Sequence, residues 1–151
     1  MKIRNPYHDM RAVRIAIATF IADNGLRYKD VANRIEDQSG QVISYKEVWN
    51  IVNQDLASYE KIDLVASSMV HFGFEYEPLP SHEAVIRMIR EYMTWRSWSK
   101  SAFLRRAKTM RLYTGAVDNL RQFNQPNHRI LHRIVICMVA MDWLDSLEVA
   151  V

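Results

Sequence analysis

The sequence has few residues that break or cross-link a fold. Its 151 residues include 4 glycines and 4 prolines, and its one cysteine, Cys137, rules out an internal disulfide. Apolar residues recur at helical spacing along most of the chain, which together with the shortage of turn residues predicts an all-α fold. No apolar run reaches the roughly 18 residues of a membrane span. The start, MKIRNPYHDMR, lacks the apolar stretch of a signal peptide. A cytoplasmic protein without a membrane partner is therefore predicted.

The usual signatures of catalysis are also missing from the sequence. There is no glycine-rich phosphate loop, no paired-carboxylate signature and no evident Ser-His-Asp order. Cys137 lies in the apolar run IVICMVAM without a recognisable base, which favours buried packing over nucleophilic catalysis. His128 and His132 are spaced i, i+4, but neither has an acidic or cysteine partner nearby. We therefore predict no catalytic residue, no cofactor and no metal site, and the chain is not expected to be an enzyme.

The charge of the chain is unevenly distributed. With 49% apolar and 25% charged residues and a net charge of +3, the composition is that of a globular protein. Residues 1–77 hold 9 Lys/Arg against 11 Asp/Glu, whereas residues 78–151 hold 11 against 6. A basic half indicates an anionic partner such as nucleic acid. The alternative is an ordinary solvated surface.

Apolar periodicity and capping residues predict eight helices in two groups. The first group covers residues 8–23, 28–37, 44–53 and 58–73, with Ser44 and Ser58 as caps. The two prolines of FEYEPLPSHEA interrupt the pattern, so a linker is predicted at 76–80 between domains 1–75 and 81–151. The second group covers residues 81–96, 99–107, 113–123 and 127–144, with Ser81 and Ser99 as its first caps.

The second group repeats the first. A shift of 72 residues places Val13 on Val85, Ile17 on Ile89 and Val31 on Phe103, and a shift of 69 places Val48 on Val117 and Met69 on Met138. Amphipathic helices often align by chance. Here, however, four helices keep their order, lengths and core positions with one small gap. This self-similarity indicates a structural duplication.

Two stretches of each group resemble a known family. In the first they are LRYKDVANRI (26–35) and ISYKEVWNIVN (43–53), with Val31-Ala32 in mid-helix and Val48 and Ile51 anchoring the next helix. In the second they are WSKSAFLRRA (98–107) and YTGAVDNLRQFN (113–124). The chain thus resembles the lambda-repressor-like (Xre-type) helix-turn-helix DNA-binding domains. The resemblance implies two tandem units of four to five helices each, and double-stranded DNA as the partner.

The outward residues of the third helix in each copy are candidates for DNA contact. Amides and lysine suit base edges, aromatics suit thymine methyls or sugars, and arginines suit phosphates. For reading bases the first copy offers Tyr45, Lys46, Trp49, Asn50 and Asn53, and the second offers Thr114, Asn119 and Gln122 with Arg121 beside them. For phosphates the second copy offers Arg105, Arg106, Lys108 and Arg111.

The predicted function is a sequence-specific transcriptional regulator of bacterial or phage type that binds double-stranded DNA. The alternative is a protein-interaction module, such as an antirepressor or adaptor. Outward aromatics often mark protein interfaces, and Glu47 and Asp118 on the predicted reading faces would repel phosphate. The apolar tail AMDWLDSLEVAV either closes the second core or, like the exposed aromatics, forms a homodimer interface.

Overall fold

The computed structural model describes residues 3–109 and 127–149 of the chain. Within these ranges the protein forms seven α-helices and one 3₁₀ turn, with no strand. The predicted all-α class is thus confirmed. The chain divides into two compact units, one of Tyr7–Leu79 and one of Pro80–Val151 together with Met1–Pro6. We call them the N-unit and the C-unit. The division between Leu79 and Pro80 falls within the predicted linker at 76–80.

Four helices build the N-unit: α1 (Met10–Asp23), α2 (Tyr28–Ser39), α3 (Tyr45–Asn53) and α4 (Tyr59–Met69), followed by the 3₁₀ turn Val70–Phe72. The predicted start of α1 at residue 8 was two residues early. Asp9 is extended, and its carboxylate accepts hydrogen bonds from the backbone N–H groups of Arg11 and Ala12, so it is the cap. The Ser44 and Ser58 side chains cap α3 and α4 as predicted.

The N-unit has one apolar core to which all four helices contribute, and α1 and α2 each pack against both α3 and α4. The predicted inner positions of α2, α3 and α4 are buried. The buried residues are Met10, Ile17, Ile21, Val31, Ala32, Ile35, Val48, Ile51, Val52, Ile62, Val65, Ala66 and Met69. The core therefore fixes the faces that α2 and α3 turn outward.

The described part of the C-unit contains α5 (His82–Trp95), α6 (Lys100–Thr109) and α7 (His128–Val149). The predicted end of α7 near residue 144 was wrong by five residues, because the continuing sequence DSLEV contains no glycine or proline to stop a helix. The predicted helix at 113–123 lies outside the described residues. Buried apolar residues of this unit include Val85, Ile89, Tyr92, Met93, Phe103, Leu104, Ala107, Leu131, Ile134, Val135, Cys137, Met138 and Met141.

The first helix of each unit has a side-chain cap at the corresponding position and is followed by the same kind of turn. At the 72-residue shift the N-cap Asp9 of α1 corresponds to the N-cap Ser81 of α5. After the helix, Gly25 (φ +60°) corresponds to Ser97 (φ +56°). Both turns close with the same backbone bond, from Leu26 N–H to Ile21 C=O (3.0 Å) in α1 and from Trp98 N–H to Met93 C=O (2.8 Å) in α5. The two helix-ending turns are therefore one Schellman motif built twice.

Candidate nucleic-acid interface

Helix α3 is short and is held by its buried side. It has 9 residues, whereas an isolated helix needs about 12 to persist in water. Val48, Ile51 and Val52 are buried, and burying an aliphatic side chain contributes roughly 1.5–3 kcal/mol. The Ser44 hydroxyl also accepts a hydrogen bond from Glu47 N–H at 3.1 Å. Packing and cap together fix the direction in which the remaining side chains point.

The outer face of α3, which we define as Tyr45, Lys46, Trp49, Asn50 and Asn53, faces solvent. All five residues are exposed, and the two aromatics keep 53% and 47% of their surface accessible. The structure thus brings together on one face the five residues that the sequence predicted for the first copy. An exposed face that combines amides, a cation and aromatics is suited to base edges, phosphates and thymine methyls.

The two asparagines of the outer face differ in their hydrogen bonds. The Asn53 Nδ2 group donates to the Tyr28 hydroxyl at 3.2 Å and to the Trp49 carbonyl at 2.9 Å. Its donors are thus in use, and only its oxygen can accept from a ligand. A bidentate contact to adenine needs both a donor and an acceptor on one amide. Asn50 is exposed and is the better candidate for that contact.

The Glu47 carboxylate should repel a phosphate less strongly than the sequence alone suggests. Its carboxylate lies 3.9 Å from the Lys61 ammonium group of α4, and both side chains are about half exposed. It also occupies the first turn of α3, where the helix dipole favours a negative charge. The ion pair offsets part of the repulsion that an isolated carboxylate would exert.

Arg14 of α1 positions the end of α3, a role that nothing in its local sequence indicates. Its Nη1 donates to the Val52 carbonyl at 2.9 Å, and its Nη2 lies 2.6 Å from the Asp55 carboxylate. The Arg14 side chain is only 12% exposed. A cation at a helix C-terminus stabilises the unpaired carbonyls there. Arg14 thereby links α1 to the helix that carries the outer face.

In the C-unit, the three described cations predicted for phosphate contact have different surroundings. Arg105 and Lys108 are exposed on α6. Arg106 instead pairs with Asp145 of α7, which also pairs with Arg96 at the end of α5. Arg106, which the sequence also predicts for phosphate contact, is therefore already paired with a partly buried carboxylate. The remaining candidates, Arg111, Thr114, Asn119, Arg121 and Gln122, lie outside the described residues.

Three aromatic rings lie near Arg96, the other arginine that pairs with Asp145. Its guanidinium carbon lies 4.5 Å from the Trp98 ring centroid, 5.7 Å from that of Trp95 and 6.0 Å from that of Tyr92. Cations over aromatic faces gain electrostatic stabilisation. Arg96 therefore has a structural role that joins α5, the turn after it and α7.

The cysteine of α7 packs inside the C-unit. Cys137 is buried, and burial raises the pKa of its thiol to about 11, which favours the protonated form.

Within α7, Ile136, Trp143 and Leu147 are exposed at a spacing of i, i+7 and i+11. This spacing places them along one side of the helix, so part of the apolar tail remains exposed to solvent.

Two histidines that the sequence keeps far apart meet in the C-unit. His82 is the first residue of α5, His128 is the first residue of α7, and their ring centroids lie 4.0 Å apart. Spacing along the sequence pointed instead to His128 and His132. Only the fold brings His82 to His128.

No described helix combines the length and the apolar character needed to cross a membrane. Comparison with protein families, curated proteins and solved structures gives no match. The case for a nucleic-acid interface therefore depends on the chain's own residues and their geometry.

Proposed function

We propose that the protein is a sequence-specific regulator of transcription, of bacterial or phage type, that binds double-stranded DNA. In this proposal α2, the turn after it and α3 form a helix-turn-helix, and the outer face of α3 lies in the major groove. The observation that carries the proposal is this face: a helix anchored by three buried residues presents Lys46 and Asn50 to solvent beside two exposed aromatics, Tyr45 and Trp49. The C-unit supplies exposed cations on α6, Arg105 and Lys108, for phosphate contacts.

The first experiment recovers bound fragments from a random double-stranded DNA library with the full-length protein, then measures affinity for the recovered site at two salt concentrations. Asn50→Ala should weaken binding to that site roughly 5- to 150-fold, because a good bidentate base contact contributes about 1–3 kcal/mol. Lys46→Ala should lower the salt slope by about 1 if that side chain meets a phosphate. Asn33→Ala is the matched control, since Asn33 is an exposed asparagine of α2 outside the outer face.

Failure to retain any DNA at low salt would exclude the proposal. So would retention that neither Asn50→Ala nor Lys46→Ala changes, because binding would then use another surface. The double variant Arg105→Ala/Lys108→Ala separates the contribution of the C-unit. It should weaken binding to all sequences similarly, as phosphate contacts carry no direct base information.

A protein-interaction module is the second candidate function. The observation that favours it is the half-exposed pair Tyr45 and Trp49 on the outer face, since aromatics are enriched at protein interfaces. An adaptor of this kind predicts no enrichment from the DNA library. It also predicts protein binding that Trp49→Ala abolishes and that changes little with salt, whereas phosphate binding falls steeply as salt rises.

A regulator that binds a two-fold operator is commonly a homodimer. The apolar side of α7 that Ile136, Trp143 and Leu147 leave exposed is the surface we propose for it. Sedimentation equilibrium of the wild type and of Trp143→Ala/Leu147→Ala tests this. A dimer that dissociates in the variant supports the proposal, and a monomeric wild type at all concentrations refutes it.

A further inference from the structure

The geometry points to a metal site at His82 and His128, and we propose that this pair binds a divalent transition-metal ion such as Zn²⁺. The two ring centroids lie 4.0 Å apart with the planes inclined at 55°. A ring nitrogen of each side chain lies within 4.8 Å of the other. Zinc binds imidazole nitrogen at about 2.0–2.1 Å, so two nitrogens that share one ion lie some 3–3.5 Å apart. His82 is partly exposed, so its side chain has room to rotate toward that spacing.

Both ligands follow a capping residue, which fixes their backbone positions. Ser81 accepts a hydrogen bond from Ala84 N–H at 3.1 Å, and Asn127 accepts one from Ile130 N–H at 2.9 Å. Each histidine is the next residue, the first of its helix. Two caps therefore hold the starts of α5 and α7 so that the rings face each other before any ion binds. Preorganised ligands lose less conformational entropy on binding.

The chemistry of the pair selects the class of ion. Imidazole suits Zn²⁺, Cu²⁺ and Ni²⁺, whereas Mg²⁺ and Ca²⁺ prefer oxygen ligands. The neutral imidazole ring is the form that binds a metal ion. His128 is only 7% exposed and is therefore shielded from solvent. The partly exposed His82 leaves a path by which an ion can reach the pair. Water would complete the coordination shell of a bound ion beyond the two rings.

A bound ion would join α5 to α7 and so constrain two helices whose first residues lie far apart in sequence. Cross-links that close long loops stabilise a fold by restricting its unfolded chain. We therefore expect metal to protect the first turns of α5 and α7 from hydrogen exchange. This inference stands apart from DNA binding and holds whether or not the protein is a regulator.

The test uses the tag-free full-length protein, stripped with EDTA and returned to metal-free buffer. Calorimetric titration with ZnCl₂ should show one saturable site per chain, and the ring proton resonances of His82 and His128 should shift together. His82→Gln should weaken Zn²⁺ binding roughly tenfold or more, since loss even of groups that only support a metal ligand costs 10–100-fold. His71→Gln is the control, because His71 is an exposed imidazole of the N-unit, and it should leave binding unchanged.

Three outcomes would overturn the proposal. They are a wild type without saturable Zn²⁺ binding, a His82→Gln variant that binds as the wild type does, and a His132→Gln variant that alone loses the ion. The last would assign the metal to the i, i+4 pair on α7. His128→Gln should behave like His82→Gln. Because His128 is buried and its replacement can disturb folding, the partly exposed His82 decides the result.

Discussion

The turn that follows α1 and the turn that follows α5 have the same backbone but different residues. Gly25 and Ser97 both adopt the left-handed conformation, with φ of +60° and +56°. Glycine enters this region freely, whereas a serine there is strained. Both turns nonetheless form the same hydrogen bonds. The two turns thus have the same backbone geometry, although only the first has glycine, the residue that suits it best.

The two units also pair their charges differently. In the N-unit, Arg27 and Asp30 pair 3.0 Å apart on the surface, with 76% and 37% of their side chains exposed. In the C-unit, Asp145 is 15% exposed and pairs with two arginines at once. Surface pairs contribute little to stability, whereas removing one partner of a buried pair leaves an uncompensated charge. The surface pair of Arg27 and Asp30 and the pairs of Asp145 therefore differ in energetic importance.

The largest effect is expected from Asp145→Ala. It leaves the partly buried guanidinium groups of Arg96 and Arg106 without their carboxylate. We expect a loss of about 2–3 kcal/mol in the free energy of unfolding, below the range for fully buried pairs because some solvent reaches the site. Urea denaturation measures the loss, and hydrogen exchange should localise it to α5, α6 and α7. Asp142→Ala, a substitution on the same helix, is the control, and an equal loss there would contradict the pairing argument.

Arg14→Ala should have the next largest effect, in the N-unit alone. It removes the hydrogen bonds to the Val52 carbonyl and to Asp55, and hydrogen bonds to charged groups contribute about 1.5–3 kcal/mol. Hydrogen exchange should accelerate at the end of α3. Arg11→Ala is the matched variant, because that side chain is 74% exposed and lies 3.7 Å from the same carboxylate. Equal losses in the two variants would show that Arg14 does not anchor α3.

The paired turns predict opposite results for reciprocal substitutions. Ser97→Gly should stabilise the protein by about 0.5–1 kcal/mol, and Gly25→Ser should destabilise it by about 1 kcal/mol, because only glycine adopts this φ without strain. No atom lies within 4 Å of a Cβ placed on Gly25, so steric contact adds nothing to the second value. Thermal unfolding should shift by roughly 2–4 °C per kcal/mol. Shifts of the same sign in both variants would contradict the equivalence of the turns.

The smallest effect concerns Asp30, whose pKa the hydrogen-bonded Arg27 holds below its usual value. A carboxyl with a lowered folded-state pKa stabilises the protein above its ordinary pKa near 4, and this contribution is lost as the pH falls through the folded-state pKa. Asp30→Asn should therefore unfold slightly more easily than the wild type at pH 7 and equally at pH 2.5. Urea midpoints at the two pH values test this, and a difference that grows in acid would refute it.

Much of the fold could be predicted from the sequence because it depends on neighbours along the chain. Apolar spacing located the inner faces of α2 to α6, and Ser44, Ser58 and Ser81 marked helix starts correctly. The wrong start of α1 has a local cause, since the cap is Asp9, which lies inside the predicted range. The wrong end of α7 arose because an apolar pattern that weakens does not stop a helix without a breaking residue.

The interactions that shape the candidate sites could not be predicted in this way. Arg14 reaches a carbonyl 38 positions later, and Arg96 reaches a carboxylate 49 positions later. His82 meets His128 across a similar separation. Nothing in local spacing distinguishes such partners from other charged or polar residues, because only the packing of the helices brings them together. The outer face of α3 was accessible to prediction because a single helix carries all its members.

The pairing of Asp145 with Arg96 and Arg106 has a consequence for how salt would affect binding to a polyanion. Each DNA phosphate that a protein neutralises releases condensed counterions. The slope of log K against log salt concentration becomes more negative by about 0.9 for each such phosphate. An arginine that already has a carboxylate as its counterion must give it up before it can release any from DNA. The slope should therefore be shallower than the 11 cations of residues 78–151 suggest. The salt slope thus reports the cations that are free to meet phosphates in the folded protein, and not the total number of cations in the sequence.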